Sequence, residues 1–229
     1  MSTVLRSAPC IQPFAPVTRL AEYYETGSGI PGLIHRYYPD ANLPGDKTVL
    51  ISGKKKPIRI LGIDPGSVVT GYGVIETDGR DSAYIAHGAI TLGDLEMPER
   101  LARIHLKLAA VIAEWSPEEA AIEEVFISRN AASALKLGHA RGAAIAACMV
   151  NRVPVHEYAA RLIKQAVVGT GSASKEQVQH MAKTLLRIRG SLPADAADAL
   201  AIAICHGHSR MQRYNAVFAR RKPVRRRTV

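Results

Sequence analysis

A run of apolar residues that ends on one aspartate and a Pro-Gly pair, Ile60-Leu61-Gly62-Ile63-Asp64-Pro65-Gly66, constrains the chain more than any other stretch. It reads as a buried β-strand over 58–64 that stops at a carboxylate and turns at once. Proline fixes φ for the turn, and glycine supplies the positive φ that several turn types require. The expectation is a carboxylate at the mouth of a strand, with little side-chain bulk in front of it. Such a position suits a metal or phosphate site. It equally suits an aspartate that only caps its own loop, so the rest of the chain must supply partners.

Downstream of this strand, Gly71–Thr77 and Tyr84–Leu92 read as two more strands, joined across the hairpin signal Asp78-Gly79. Met97–Trp115 carries apolar residues at helical spacing, and Ser116-Pro117 ends it. Ala120–Phe126 is a short apolar strand with Glu123 and Glu124 inside it. Asn130 is placed to cap an Ala-rich helix running to Val150, and Val153–Tyr158 is a fifth strand. Three helices follow, at Ala159–Val167, Ser174–Ile188 and Ala194–His206, and Ser174 with Gln177 forms a capping box for the second. The order implies an α/β fold, a mixed five-stranded sheet flanked by helices.

Residues 1–57 differ in kind. They hold 7 of the 13 prolines and little hydrophobic periodicity, and are expected to form a weakly ordered N-terminal extension. Residues 58–208 form the expected folded domain, and 209–229 a basic C-terminal tail. The net charge of +10 is segregated: residues 58–127 carry −7 and 128–191 carry +8. An acidic half beside a basic half suits an enzyme that gathers cations at one point and holds a polyanion nearby; it also suits helices whose cations only meet solvent. Three widely spaced cysteines make neither a disulfide framework nor a zinc motif, and suggest a reducing compartment. No apolar run is long enough to span a membrane.

Acids stand in three apolar settings. Asp64 ends the first strand. Glu123 and Glu124 point to opposite faces of theirs, so one of the two can join Asp64. Asp195 and Asp198, at i and i+3, share one face of a helix of small and apolar residues. Two carboxylates about 4 Å apart repel by roughly 4 kcal/mol at an effective dielectric of 20. A converging cluster would therefore take up protons or hold a divalent cation. Oxygen donors suit Mg²⁺ or Mn²⁺, and two such ions would serve phosphodiester hydrolysis. No Ser-His-Asp set, P-loop or dinucleotide fingerprint competes. His206-Gly-His208 has no Cys or further His at ligand spacing and reads poorly as a metal site.

The strings ILGIDPGSVVTGYGVI (60–75), AIEEVF (121–126), SALKLGHARG (133–142), EYAARLIKQAVVGTGSASKEQVQHM (157–181) and ADAADALAIAICH (194–206) closely resemble the RuvC family of bacterial Holliday-junction resolvases. The resemblance covers essentially the whole core. It implies an RNase H-like fold, a cytoplasmic homodimer, and a crossover junction endodeoxyribonuclease of recombination and DNA repair. Such an enzyme cuts two strands of a four-way DNA junction symmetrically, leaving 5′-phosphate nicks, with two Mg²⁺ ions per subunit and Mn²⁺ as the expected substitute. Carried over by motif, the catalytic and metal-holding acids fall on Asp64, Glu123, Asp195 and Asp198; the pattern selects Glu123 over Glu124. DNA-binding positions fall on Phe126, Arg129, Lys164 and Lys175. A branch-migration complex of the RuvA and RuvB type is the implied partner. Residues 1–57 have no counterpart in the family pattern. The alternatives are a junction-binding scaffold without activity, and an RNase H-like nuclease on an RNA–DNA hybrid or flap.

Overall fold

The computed structural model describes residues 56–93, 95–124 and 130–219, with side chains through Met211. The expected extension over 1–57 and the end of the basic tail lie almost wholly outside the described residues. Five strands form one sheet in the order β3-β2-β1-β4-β5. They are β1 (Ile58–Asp64), β2 (Val69–Thr77), β3 (Ser82–Thr91), β4 (Glu119–Glu123) and β5 (Val155–Tyr158). The first three pair antiparallel as a meander. β4 then lies parallel to β1, and β5 parallel to β4. Parallel neighbours need crossovers, which here are α1 (Met97–Trp115) and α2 (Ala131–Val150). Among the described residues the remaining helices are α3 (Ala160–Val168), α4 (Lys175–Leu185) and α5 (Ala194–Ala219).

Strand alternation divides the core in two. Leu61, Ile63, Val74, Ala120 and Ile122 pack with Ile104, Leu108 and Ile112 of α1 and Ala144, Ala147 and Cys148 of α2. Ile58, Ile60, Ile75 and Ala121 face the other way, against Leu200, Ala201 and Ile204 of α5, with α3 and α4 behind. Two glycines set how closely α5 lies. A Cβ on Gly62 would overlap the Ala199 carbonyl, and one on Gly71 would overlap that of Asp195. The helix backbone therefore rests on the sheet beside the end of β1.

Local chemistry explains most boundaries. Asn130 Oδ1 accepts from the backbone N–H groups of Ala132 and Ser133 and starts α2. Both halves of the Ser174/Gln177 capping box are formed at α4. Asp78 Oδ1 accepts from the N–H groups of Arg80 and Asp81, and Gly79 takes the expected positive φ of 95°. Two readings need correction. Gly66 does not take positive φ; it is needed because a Cβ there would overlap the Val69 carbonyl. The last helix does not stop at His206 but runs to Ala219. Gly207, a weak helix former, sits where α5 passes Thr77, whose Cγ2 would be 3.1 Å from an added Cβ.

Candidate active site

Asp64 is the last residue of β1, and its antiparallel partner is Gly71. The loop after it is held open by hydrogen bonds rather than by bulk. Buried Thr70 donates from Oγ1 to the Gly66 carbonyl at 3.0 Å and accepts from the Gly66 N–H at 3.3 Å. Arg100 of α1 adds a bond from Nη1 to the Ser67 carbonyl at 2.7 Å. Composition singles out neither Thr70 nor Arg100; both act through the backbone.

Glu123 ends β4 next to this position, since Ile63 pairs with Ile122 in the parallel register. It shares a strand face with Ala121, which packs in the α5 half of the core. The side chain thus lies on the Asp64 side of the sheet, while Glu124 follows the strand and is exposed. Arg141 of α2 fixes this strand end: its Nε donates to the Glu123 carbonyl at 3.3 Å, and its guanidinium pairs with Glu157. From above, the first turns of α5 bring Asp195 and Asp198, because the Asp195 carbonyl sits over Gly71.

The four acids sense one another. Burial, then the charges of Asp198 and Glu123, push the Asp64 carboxyl up to about 7; Lys175 opposes this and Asp195 adds to it. Glu123 is also raised, by burial first and Asp198 second, with Lys164 and Lys175 pulling it down. Lys175, the first residue of α4, places Nζ 2.7 Å from Asp198 Oδ2. Its own ammonium form is strengthened, above all by that hydrogen bond. Gln179, one turn on, donates to Asp198 Oδ1 at 3.3 Å. Lys164 of α3 completes the cationic side near Glu123. The structure thus brings together Asp64, Glu123, Asp195, Asp198, Lys164 and Lys175. Phe126 and Arg129 lie outside the described residues.

An all-carboxylate donor set with a lysine at its edge fits a hard divalent cation, which would offset the burial and the carboxylate repulsion that raise the Asp64 carboxyl. Among the described residues, the tightest metal-ligand grouping lies elsewhere. Glu119, His156 and His206 bring one ligand atom each within 4.8 Å of one another. Sequence spacing misses this group because its members come from β4, β5 and α5. Cys148 and Cys205 are buried, with thiols pushed up to about 12 and about 11, and have no part in the site. Among the described residues no helix is long and apolar enough to cross a membrane.

Known proteins of this shape give the arrangement a context. The family model for crossover junction endodeoxyribonuclease RuvC matches residues 60–206. A crossover junction endodeoxyribonuclease RuvC of Vibrio cholerae is 57% identical over 150 residues, covering 66% of this chain and 87% of the relative. The structure of Thermus thermophilus RuvC in complex with a Holliday junction substrate superposes with a TM-score of 0.64 at 34% identity, covering 68% of this chain and 96% of that one. The yeast mitochondrial resolvase Ydc2 shares the fold alone, at 12% identity and a TM-score of 0.51, over 83% of this chain and 90% of that one. With its RNase H-like sheet and carboxylates gathered at the end of β1, this chain belongs to the RuvC family of crossover junction endodeoxyribonucleases.

Proposed function

We propose that the protein is a metal-dependent endonuclease that resolves four-way DNA junctions in recombination and repair, with Asp64, Glu123, Asp195 and Asp198 as its catalytic and metal-holding residues. The observation that carries this reading is the placement of Asp64, Glu123, Asp195 and Asp198 together at the end of β1 in a chain of this family, where burial first and then the charges of Asp198 and Glu123 raise the Asp64 carboxyl. A group so placed is poised to exchange a proton for a cation. Two Mg²⁺ ions held by the four carboxylates would lower the pKa of an attacking water and stabilise the departing 3′ oxygen.

The chain's own residues supply the rest. Asp64, on the rigid centre of the sheet, would hold a metal ion at a fixed position relative to the other acids. Lys175 holds Asp198 at 2.7 Å when no phosphate is present, and is placed to turn to a backbone phosphate when DNA arrives. Lys164 offsets the charge of Glu123 and supplies a second phosphate contact. Phe126 and Arg129 belong to this reading as contacts to the opened junction centre, by stacking and by charge. Junction choice follows from shape and backbone contact rather than base reading.

A homodimer matches the symmetry of a four-way junction, since a two-fold axis delivers one site to each of two strands. Helix α2 offers the surface for the second copy. Leu135, Gly138, Gly142, Ala146 and Val150 run along one side of it, with Leu135 and Val150 61% and 62% exposed. Added Cβ atoms at Gly138 and Gly142 would meet nothing within 4 Å. Arg141 on the same helix grips the Glu123 carbonyl, so docking at α2 and the geometry of β4 are mechanically linked. A branch-migration complex of the RuvA and RuvB type is the proposed supplier of the junction, and the cytoplasm the proposed location.

The experiment offers three labelled substrates together in Mg²⁺: a four-way junction, an RNA–DNA hybrid and a flap. Paired nicks in opposite junction strands, with 5′ phosphates that a ligase seals, are expected. Preference for the hybrid or flap would overturn the substrate, and junction binding without incision would leave a scaffold.

A further inference from the structure

We propose that Glu119, His156 and His206 form a second metal site, for a zinc-class divalent ion, at the end of the sheet opposite the four acids. Glu119 opens β4, His156 lies on β5 and His206 on α5. All three project onto the face of the sheet that α5 covers, because His156 pairs with Ala121 and Glu119 shares the parity of Glu123. Four residues of strand separate Glu119 from Glu123, about 13 Å at 3.3 Å per residue. The two sites therefore do not share ligands.

The donor atoms lie close together. His206 Nε2 lies 2.6 Å from Glu119 Oε2, and His156 Nε2 lies 4.0 Å from the same oxygen. The two imidazoles stack, with centroids 4.5 Å apart and planes 27° apart. Zinc bonds of about 2.0–2.1 Å to N and O in a tetrahedron put ligand atoms about 3.3 Å apart. The observed 2.6 and 4.0 Å bracket that value, so each of these two contacts needs to change by less than about 1 Å. Two imidazoles and a carboxylate match the three-ligand zinc sets that leave a fourth position open, and nitrogen donors disfavour Mg²⁺.

The groups behind the donors are those a metal site uses. The Tyr158 hydroxyl sits 2.7 Å from His206 Nδ1, the nitrogen that would not ligate. Arg210 Nε donates to Glu119 Oε1 at 3.1 Å, leaving Oε2 for the ion. Metal-bound imidazoles and carboxylates are commonly oriented by such partners. Without metal, His206 bridges the two neighbours, with Nε2 against Glu119 and Nδ1 against the Tyr158 hydroxyl. On binding, Nε2 would turn to the ion while Nδ1 keeps its contact with the Tyr158 hydroxyl. His206 is fully buried, whereas the His156 side chain is 33% exposed, which gives an ion its way in. The consequence is a clamp joining β4, β5 and the middle of α5, the helix whose first turns carry Asp195 and Asp198.

The test uses the chelator-stripped full chain in millimolar Mg²⁺. Zn²⁺ is titrated by calorimetry, and Co²⁺ by its visible absorption. The expected result is one Zn²⁺ per chain with a raised Tm. Binding should survive Asp64→Asn and fall at least ten-fold in His156→Gln. Tyr158→Phe should weaken it about 10–100-fold. Mg²⁺-dependent junction cleavage by His156→Gln at the parent rate shows that this variant is folded. No zinc binding by the parent, or equal binding by parent and His156→Gln, would leave a hydrogen-bonded network only and overturn the proposal. Zinc lost with Asp64→Asn but kept in His156→Gln would assign the ion to the acids and overturn it equally.

Discussion

Replacing Asp64 by asparagine should stabilise the metal-free protein, and the gain should depend on pH in one direction. The Asp64 carboxyl is raised from 3.8 to about 7, chiefly by burial and then by Asp198 and Glu123. A carboxyl with a raised folded-state value holds its proton more tightly folded than unfolded. Below about pH 4 it is neutral in both states and costs nothing. As pH rises from there to about 7, the unfolded chain ionises while the folded one resists, and stability falls. Above pH 7 the loss is complete. A shift of about three units at 1.36 kcal/mol each sets a ceiling of about 4 kcal/mol. Asparagine keeps the shape and removes the charge. Half of that ceiling, about 2 kcal/mol, moves Tm by about 4–8 °C in a domain of this size. The assay is thermal melting of parent and Asp64→Asn in chelator at pH 4.5, 6 and 8, repeated at pH 8 with excess Mg²⁺. The variant should gain from pH 4.5 to 8, and Mg²⁺ should narrow the gap by stabilising only the parent. A difference that is flat with pH, or that shrinks as pH rises, would refute the view that Asp64 sits in a strained acid cluster.

Gly71→Ala should destabilise the fold by about 3 kcal/mol and abolish cleavage, because the new methyl would overlap the Asp195 carbonyl and lift α5 off β2; denaturant unfolding and a nicking assay check both. Leu135→Glu on the outer face of α2 should shift the protein toward monomer in analytical ultracentrifugation, with uncoupled cuts in place of paired ones. Deleting 220–229 removes six basic residues and should make log K for junction binding fall less steeply with log salt, by up to about 0.9 per lost phosphate contact; an unchanged slope would mean the tail does not touch DNA.

The sequence is legible where one local pattern carries the structure. The apolar run into Asp64 and the Ser174/Gln177 box each need only a few neighbouring residues to be read, and each is found as read; the strand expected over 120–126 instead runs from Glu119 to Glu123, and Glu124 follows it. What alternation could not supply was the choice between Glu123 and Glu124, because that depends on which sheet face α5 covers; the register of β1 with β4 decides it. Gly66 answers a space requirement rather than a φ requirement, and the two look identical as a single glycine. Arg100, Arg141 and Gln179 leave no local sequence signal because each reaches the site from a different element, two of them through backbone carbonyls. The Glu119–His156–His206 group leaves none for a related reason. His206 has only His208 nearby in sequence, yet that ring instead approaches the Ala166 carbonyl at 3.2 Å, and the partners of His206 arrive through the parallel pairing of β4 with β5.

The central claim is that Asp64 and three other acids form one phosphodiester-cutting site on a protein that recognises junctions. The most direct measurement compares parent and Asp64→Asn on a synthetic four-way junction in Mg²⁺, scoring binding and incision on the same gel. The account predicts paired incisions by the parent and none by the variant, with the variant binding as tightly or more tightly because a charge that repels phosphate is gone. Incision by Asp64→Asn at the parent rate would contradict it.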